Sequence, residues 1–538
     1  MTEKQPVYIM PDNVSRTLGR DAQRNNILAA RVVADIVKTT LGPKGMDKML
    51  VDSNGQIIVT NDGATILKEM EIDHPAARML VEIAKTQEKE VGDGTTTVTL
   101  LAGKLLENAE KLLDKNIHPT IIVKGYRMSA EKAKHILDDI SISLNNKGIL
   151  EQIAQTAMTG KGAEGNKEIL AGLVVMAVDQ IASGKHIDLS DVKIEKVIGG
   201  AVSDSELVRG IVLDKERVNN DMPTKIVDAK ILLIGSHLEL KSPEIEAKIS
   251  ISTPEQLQSF IASEEAYVRE MTNKIIESGA NVVFCQKGID DVAQYYLARS
   301  GIFACRRVPL SDMEKLARAT GGKIVSNLSD LSVEQFGKSE IVEEIRKGDE
   351  SLTYVKGCSN PRAVTIVIRG GTSHLVDEIE RAVIDGLSVV ASAVESGKIV
   401  AGGGAVEMEL ARRLKVYART LGGREQLAVE EFADALESIP VALAENAGLD
   451  PIDTLTELKK RHESGLYNHG LNLFNNQIED TFSTGIVEPI KVKTQAISSA
   501  SEVAMMILRI DDVLISSRNS GKTGGESSKG NRMYEGID

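Results

Sequence analysis

The most informative short segment of the chain is GDGTTT at residues 92–97, which stands directly before the helical run VTLLAGKLLENAEKLL. Two flexible glycines and three hydroxyls therefore lie beside the unpaired backbone amides of a predicted helix N-terminus, an arrangement suited to phosphate groups. A carboxylate next to such a pocket, here Asp93, can hold Mg²⁺ against phosphoryl oxygens. The segment predicts a phosphate and metal site, although GDG alone is also typical of a plain turn before a helix.

Two further glycine-rich segments could approach the same ligand. LGPKG at residues 41–45 ends the first predicted helix, and AGGGA at residues 401–405 begins a later one. Glycine at such places allows the backbone to come close to a bound ligand. The sequence contains no GxxxxGK[ST] and no HRD or DFG motifs, which argues against a P-loop enzyme and a protein kinase.

The elements that must position these segments are mostly helical in the first 146 residues. Apolar residues recur at helical spacing over 17–40, and the pattern stops at LGP. The dipeptide NG at residues 54–55 lies between two β-prone runs and predicts a hairpin. Three more helices are predicted near residues 75–91, 96–115 and 119–145.

The pattern changes to α/β from about residue 190 and returns to helix after residue 402. In the middle, β-rich runs such as KIVDAKILLIG and ANVVFCQKG alternate with helical runs such as DDVAQYYLARSG and SDMEKLARATG. The later helical runs are AVEMELARRLKVYART, EQLAVEEFADALESIPVALAENAG and AISSASEVAMMILRIDDVLI. A length of 538 residues predicts two to four domains. We expect one domain assembled from both chain ends, with the others inserted between.

Composition restricts the function classes. The net charge of -14 argues against binding to duplex nucleic acid, and 3% aromatic residues with no Trp offer little surface for base stacking. No signal-like apolar segment and no apolar run of about 18 residues occur, so we expect a cytoplasmic protein with no membrane partner. The three cysteines show neither CxxC nor His spacing and are interpreted as buried thiols.

Five motifs give the chain a family resemblance. TTLGPKGMDKMLV, VTNDGATIL, VGDGTTT, VAGGGAVEMEL and GIVEPIKVKTQAI occur in the order seen in chaperonins, and the similarity covers essentially the whole chain. GPKGMDKML, TAMTGKGAE and ERAVIDGLSVV resemble the group II, or thermosome, branch rather than the bacterial branch. The resemblance implies an ATP-dependent molecular chaperone with ATP hydrolase activity, which encapsulates unfolded proteins in a double-ring cavity through lid closure.

The resemblance also implies a set of ligand contacts, with ATP or ADP and Mg²⁺ as the ligands. Asp93 corresponds to the Mg²⁺ ligand of the family. The implied nucleotide contacts are Gly94, Thr95, Thr96 and Thr97 on the phosphates, Gly42 and Pro43 along the phosphate chain, Gly403 and Gly404 around the nucleoside, Glu488 on the ribose, and Lys493 nearby.

Three charged residues are implied to act at the terminal phosphate. Asp62 and Asp385 resemble the carboxylates that position or deprotonate the attacking water, with Asp385 the favoured general base. Lys161, beside Gly160, resembles the residue that senses the γ-phosphate. By residue type alone, Asp385 is also typical of a solvated helix position and Lys161 of a surface loop. Carboxylates converging on a triphosphate repel by about 4 kcal/mol per pair at ~4 Å and an effective dielectric of ~20, a conflict that Mg²⁺ relieves.

The implied fold class is multidomain α+β. Its expected parts are a helical equatorial ATPase domain at 1–146 and 402–538, an α/β intermediate hinge domain at 147–214 and 366–401, and an α/β apical domain at 215–365 with a helical protrusion, the built-in lid, at about 241–272. Six apolar residues of this protrusion are expected either to be partly exposed for unfolded chains or to form a small local core, namely Ile245, Ile249, Ile251, Leu257, Phe260 and Ile261.

The expected partners are identical or homologous subunits in two stacked rings of eight or nine, and unfolded client proteins, with no separate co-chaperonin cap. Two alternatives stay open at this point. A holdase or scaffold could keep the fold without the ATPase, although the three aspartates at 62, 93 and 385 are present. A small-molecule kinase would need an acceptor pocket, for which no motif is found.

Overall fold

The computed structural model describes residues 14–51, 55, 57–144, 146–160, 164–184, 186–239, 253–328, 331–347, 350–358 and 361–516. These residues form a mixture of helices and strands, as the sequence predicts. Lys161 and residues 241–252 of the predicted lid lie outside the described residues.

The elements follow one another in three stretches. The first comprises β1 (Val14–Leu18), α1 (Gly19–Lys38), β2 (Lys48–Val51), β3 (Ile57–Thr60), α2 (Gly63–Glu69), α3 (Pro75–Val91), α4 (Thr95–Asp114), α5 (Pro119–Ile140) and β4 (Ile142–Ser143). The second comprises α6 (Gly148–Met158), α7 (Lys167–Ile181), β5 (Val192–Ile198), β6 (Glu206–Val208), β7 (Gly210–Leu213), β8 (Lys225–Ile234), α8 (Pro254–Glu277), β9 (Val282–Cys285), α9 (Asp291–Arg299), β10 (Phe303–Cys305), α10 (Leu310–Thr320), β11 (Ile324–Val325), β12 (Gly337–Lys347), β13 (Glu350–Lys356), β14 (Val364–Gly370) and α11 (Ser373–Ser396). The third comprises β15 (Lys398–Ala401), α12 (Ala405–Ala418), α13 (Glu425–Leu436), α14 (Ser438–Asn446), α15 (Pro451–Glu463), β16 (His469–Asn472), β17 (Gln477–Asp480), β18 (Val487–Pro489), α16 (Ile490–Leu508) and β19 (Asp512–Ser516).

Helices from both ends of the chain share one hydrophobic core. Its buried residues come from Ile27–Leu137 and from Val400–Leu508, and α4 lies at its centre against α1, α3, α13 and α16. Gly103 lets α1 and α4 approach closely, because a Cβ at this glycine would lie 2.4 Å from the Cβ of Ala34. Packing on several sides therefore fixes α4, whose N-terminus carries the GDGTTT segment.

The middle of the chain has separate cores. The helices α7 and α11 pack against a three-stranded sheet in the order β5-β14-β6, and α6 packs against these two helices. Farther along, a seven-stranded sheet has the order β10-β9-β8-β12-β13-β7, with β11 paired to β8. Buried residues form one core on each face of this larger sheet, which is why β9 is buried at all four positions.

The structure corrects three predicted element boundaries. The helix predicted over 119–145 ends at Ile140 as α5. The run predicted as helical near residues 425–448 breaks into α13 and α14, and Pro440 lies in the first turn of α14, where proline is tolerated. The last run is predicted to be helical through DVLI, but these residues form β19 because β1 provides an antiparallel partner.

Candidate functional site

A cavity of about 210 Å³ lies where the glycine-rich segments meet. It is lined by thirteen of the predicted site residues, namely Gly42, Pro43, Asp62, Asp93, Gly94, Thr95, Thr96, Thr97, Gly160, Gly403, Gly404, Glu488 and Lys493. Segments more than 400 residues apart in sequence therefore meet at one place. Asp385 is not among the lining residues, and Lys161 lies outside the described residues.

The GDGTTT segment forms a tight turn between two helices. Gly92 ends α3 with φ 75° and Gly94 precedes α4 with φ 81°, both in the left-handed region that favours glycine. Gly94 has no side chain that could cap the N-terminus of α4, which leaves the first amides of this helix available to a ligand. The carboxylate of Asp93 accepts a hydrogen bond from the backbone N–H of Gly94 at 2.7 Å.

The LGPKG turn and the end of α6 approach each other through their backbones. Gly160 has φ 79°, and a Cβ at this position would lie 2.8 Å from Cα of Pro43 and 3.2 Å from the carbonyl oxygen of Gly42. Asn61 contacts the same place, since its Nδ2 donates to the carbonyl of Gly160. Glycine at 160 is therefore required by both its conformation and the space around it.

Gly403 and Gly404 form the turn before α12 on another side of the cavity. Gly404 has φ 80° and precedes α12 without a side-chain cap. The carbonyl of Gly403 accepts from the N–H of Leu471 at 2.8 Å, which ties this turn to β16. Apolar side chains form a further part of the cavity wall, namely Ile439, Leu443, Leu471, Leu473, Phe474 and Ile486. This wall suits the flat apolar faces of a nucleoside base.

Lys493 joins two carboxylates at the edge of the cavity. Its Nζ lies 2.9 Å from Oε1 of Glu407 and 2.8 Å from Oε2 of Glu488. Burial on its own would lower the pKa of Lys493, but the charges of Glu407 and Glu488 outweigh burial and raise this pKa. One ammonium group thus pairs with two carboxylates. Burial raises the pKa of Glu488; the charge of Lys493 opposes this rise, and the charges of Glu407 and Asp93 add to it.

The two predicted catalytic aspartates lie in different places. Asp62 lines the cavity and precedes α2, where its Oδ2 accepts from the N–H of Thr65 at 2.8 Å. Asp385 is buried on α11. A Cβ at Gly92 would lie 3.4 Å from the carbonyl oxygen of Asp385 and 2.2 Å from Cβ of Ser388, so α11 packs directly against the turn that holds Asp93.

The carboxylates of the cavity do not form a metal site by themselves. Within the part of the chain that the structure describes, no three His, Cys, Asp or Glu side chains come close enough to hold a metal ion. At phosphate sites Mg²⁺ usually takes one or two carboxylates from the protein and its other oxygen ligands from phosphate and water. The single carboxylate of Asp93, beside the N-terminus of α4 in the cavity lining, is compatible with such an ion.

Comparison with known proteins decides the family. A sequence model of the TCP-1/cpn60 chaperonin family matches residues 33–518. The chain belongs to this chaperonin family. Similar proteins include the thermosome subunit of Methanopyrus kandleri, 57% identical over 94% of both chains, and the thermosome subunit beta of Methanothermobacter thermautotrophicus, 55% identical over 98% of both. The thermosome subunit of Pyrococcus horikoshii is 54% identical over 99% of this chain and 98% of its own length.

The similarity to thermosome subunits makes the chain a group II chaperonin subunit with a function in ATP-dependent protein folding. Among the described residues of this chaperonin, no helix is both long and apolar enough to cross a membrane.

Sequence reasoning missed several residues that shape the cavity of this chaperonin. Thr156 and Thr159 line it near the end of α6, and Asn61 lines it beside Asp62. Gln87 and Glu407 are buried and hydrogen-bonded to residues of the site. Asn61 and Glu407 lie within the NDG and AGGGAVEMEL motifs, so the motifs could have predicted that these two residues belong to the site. Gln87 carries no such signal, because it lies outside these motifs and its contacts with Asp93 and Val492 form only in the folded chain.

Proposed function

We propose that this chain hydrolyses ATP with Mg²⁺ held at Asp93 and uses hydrolysis to drive the folding of client proteins. The observation that supports the proposal most is the convergence of three glycine-rich segments around one cavity of about 210 Å³. This cavity combines the free amides of a helix N-terminus, suited to phosphates, with an apolar wall, suited to a base.

The proposed binding roles follow the surfaces of the cavity. The amides of the first turn of α4 and the hydroxyls of Thr95–Thr97 bind the phosphates, and Glu488 accepts a hydrogen bond from the ribose. Mg²⁺, when bound at Asp93, supplies positive charge that offsets the phosphate oxygens. Lys493 keeps Glu488 in place through the 2.8 Å contact between Nζ and Oε2.

Hydrolysis requires one water molecule and a proton acceptor. The water oxygen attacks the terminal phosphorus, the bond from that phosphorus to the bridging oxygen breaks, and a proton passes from the water to Asp385, which leaves ADP and phosphate. Asp62 orients the water. Because the structure has α11 against Gly92 and Asp385 outside the cavity lining, we propose that a shift of α11 brings Asp385 to the water and thereby gates hydrolysis.

We propose that the regions with separate cores are the equatorial, intermediate and apical domains, with bounds close to those predicted from the sequence. The strand β7 is counted with the apical domain, because it pairs with β13 in the seven-stranded sheet. The core built from both chain ends supports the equatorial assignment. The helix α8, with Phe260 37% exposed, supports a protruding lid that meets unfolded chains. The assembly proposed is two stacked rings of eight or nine identical or homologous subunits in the cytoplasm, closed without a separate cap. Lys161 as the γ-phosphate sensor stays a prediction.

ATP turnover by particles of native size tests the proposal. Wild type is expected to release phosphate from ATP with no acceptor present, and to stop when EDTA removes Mg²⁺. Asp385→Ala should bind ATP without turning it over. Asp377→Ala on the same helix is the matched control, because Asp377 is 46% exposed and pairs with Lys196.

Four results would contradict parts of the proposal. Turnover only with an added small-molecule acceptor would favour the kinase alternative. Binding without turnover in wild type would favour the holdase alternative. Turnover that does not depend on Asp385 would contradict the catalytic role of this residue. A particle mass of only a few subunits would contradict the double ring.

A further inference from the structure

A buried glutamine lies beneath the phosphate turn. Gln87 is in the last turns of α3 and has no exposed surface. Its Nε2 donates to the carbonyl oxygen of Asp93 at 2.8 Å and to that of Val492 at 3.2 Å. Glutamine is seldom fully buried, so its presence at this place calls for a physical reason.

The orientation of this amide is fixed by its partners. Both partner atoms are backbone carbonyl oxygens, which only accept hydrogen bonds, so the nitrogen of the amide must face them. Oε1 of Gln87 is buried, and no donor among the described residues reaches it. A buried acceptor without a partner weakens the fold, so stability alone does not account for a glutamine here.

The geometry of one peptide group connects Gln87 to the carboxylate of Asp93. The peptide between Asp93 and Gly94 is planar and trans, so its C=O and N–H point in opposite directions. Gln87 holds the C=O end, and the N–H end donates to Oδ1 of Asp93 at 2.7 Å. Fixing the carbonyl therefore fixes the direction in which the amide holds the carboxylate.

We propose that Gln87 is a positioning residue that orients Asp93 for Mg²⁺ through this single peptide group. Oδ1 of Asp93 is held by the amide of Gly94, so the carboxylate presents itself to the metal in one orientation. The second hydrogen bond of Gln87, to Val492, joins the turn to the residue beside Lys493 and so keeps the metal side and the ribose side of the cavity in register. This inference rests on the proposed role of Asp93.

The test is ADP binding to assembled particles, measured by calorimetry with and without Mg²⁺. Gln87→Leu should bind ADP without Mg²⁺ as wild type does, whereas the gain in affinity on adding Mg²⁺ should fall by about tenfold or more, as for loss of an outer-shell partner. Gln87→Glu puts a carboxylate against two carbonyl oxygens and should lose at least as much of the gain in ADP affinity on adding Mg²⁺. This second variant provides the test if Gln87→Leu assembles poorly.

Gln294→Leu is the matched control. Gln294 is also buried on a helix, and its Nε2 donates to the carbonyl of Ile289 at 2.8 Å, but it belongs to another core. This variant should keep the full gain in ADP affinity on adding Mg²⁺.

Asp93→Asn separates the positioning role from the metal site. If Asp93→Asn loses the gain while both Gln87 variants keep it, the positioning role is wrong and the metal site stands. If Asp93→Asn keeps the gain, the proposed metal site is wrong and the role of Gln87 is wrong with it. An equal loss of ADP affinity with and without Mg²⁺ in the Gln87 variants would also contradict positioning, since it indicates general damage to the cavity.

Discussion

The ammonium group of Lys493 lies 2.8 Å from the carboxylate of Glu488, with both side chains at the edge of the cavity. Glu407 approaches the same ammonium at 2.9 Å. Two carboxylates therefore depend on one positive charge in a largely buried place, where a missing partner costs far more than on the surface.

Lys493→Met should destabilise the subunit by about 3–5 kcal/mol, because it leaves both carboxylates without their cation in a buried place. The expected observation is a clear fall in the thermal midpoint of the particle. Lys491→Met is the matched control, since Lys491 pairs with Glu395 at 3.5 Å and is 40% exposed, and about 0–1 kcal/mol is expected for it. Equal midpoints for the two variants would contradict the role given to Lys493.

Gly160→Ala should weaken nucleotide binding strongly. An alanine there costs about 1–2 kcal/mol for its left-handed conformation alone. Its Cβ would also lie 2.8 Å from Cα of Pro43, which forces the LGPKG turn away from the cavity. Gly172→Ala, in α7 with nothing near its Cβ position, should leave nucleotide affinity unchanged. Calorimetric titration with ADP distinguishes the two variants, and unchanged binding by Gly160→Ala would show that this close approach is not needed.

Glu409 makes a contribution to stability that depends on pH. This fully buried carboxylate lies 3.1 Å from Nδ1 of His462, and Nε2 of His462 lies 2.8 Å from the carbonyl oxygen of His469 at the start of β16. Burial on its own would raise the pKa of Glu409, but hydrogen bonds from His462, Arg412 and Arg413 outweigh burial and lower this pKa from 4.5 to about 2.

A depressed carboxyl pKa means that the folded state favours the ionised form of Glu409. Its contribution, on the order of 3 kcal/mol, is present above pH 4.5 and is lost as the pH falls toward about 2. Glu409→Gln should lower the thermal midpoint at neutral pH, and the difference from wild type should shrink below pH 4.5. Glu457→Gln, at a 41% exposed ion pair, is the control and should change little. A difference that stays constant with pH would contradict the assignment.

Lys193 connects β5 to α10 across two regions of the chain. Its Nζ lies 3.0 Å from Oδ2 of Asp312 on α10 and 3.1 Å from Oε2 of Glu195, and these side chains are 11–15% exposed. Asp312→Asn should loosen α10 by about 1 kcal/mol, which hydrogen exchange would detect as faster exchange of its amides. Glu314→Gln, at an exposed position of α10, should leave the exchange of these amides unchanged. Equal protection in both variants would contradict the claim that the pair of Lys193 and Asp312 stabilises α10.

The sequence predicted the parts of the site that lie within short continuous motifs. GDGTTT, LGPKG and AGGGA each contain the glycines that their turns need, and the structure places all three around one cavity. That these segments meet was predictable only through the family resemblance, because a spacing of hundreds of residues carries no geometric information by itself.

The parts that the sequence could not predict depend on contacts between distant segments. Gln87 has no motif of its own, and its reach to Val492 exists only after α3 and α16 pack together. The local pattern predicts helix for β19, but its pairing with β1, about 500 residues earlier in sequence, outweighs that pattern. Asp385 was assigned by resemblance, and its helix position alone would not have distinguished it from a solvated residue.

The most direct test of the central claim is the ATP-dependent refolding of a chemically denatured monomeric protein by assembled particles. With wild type and ATP, the yield should rise well above spontaneous refolding, whereas Asp385→Ala should bind the client and ATP but return only the spontaneous yield. No gain with wild type would contradict ATP-driven folding by this chain, and an equal gain with Asp385→Ala would show that hydrolysis at this residue does not drive folding.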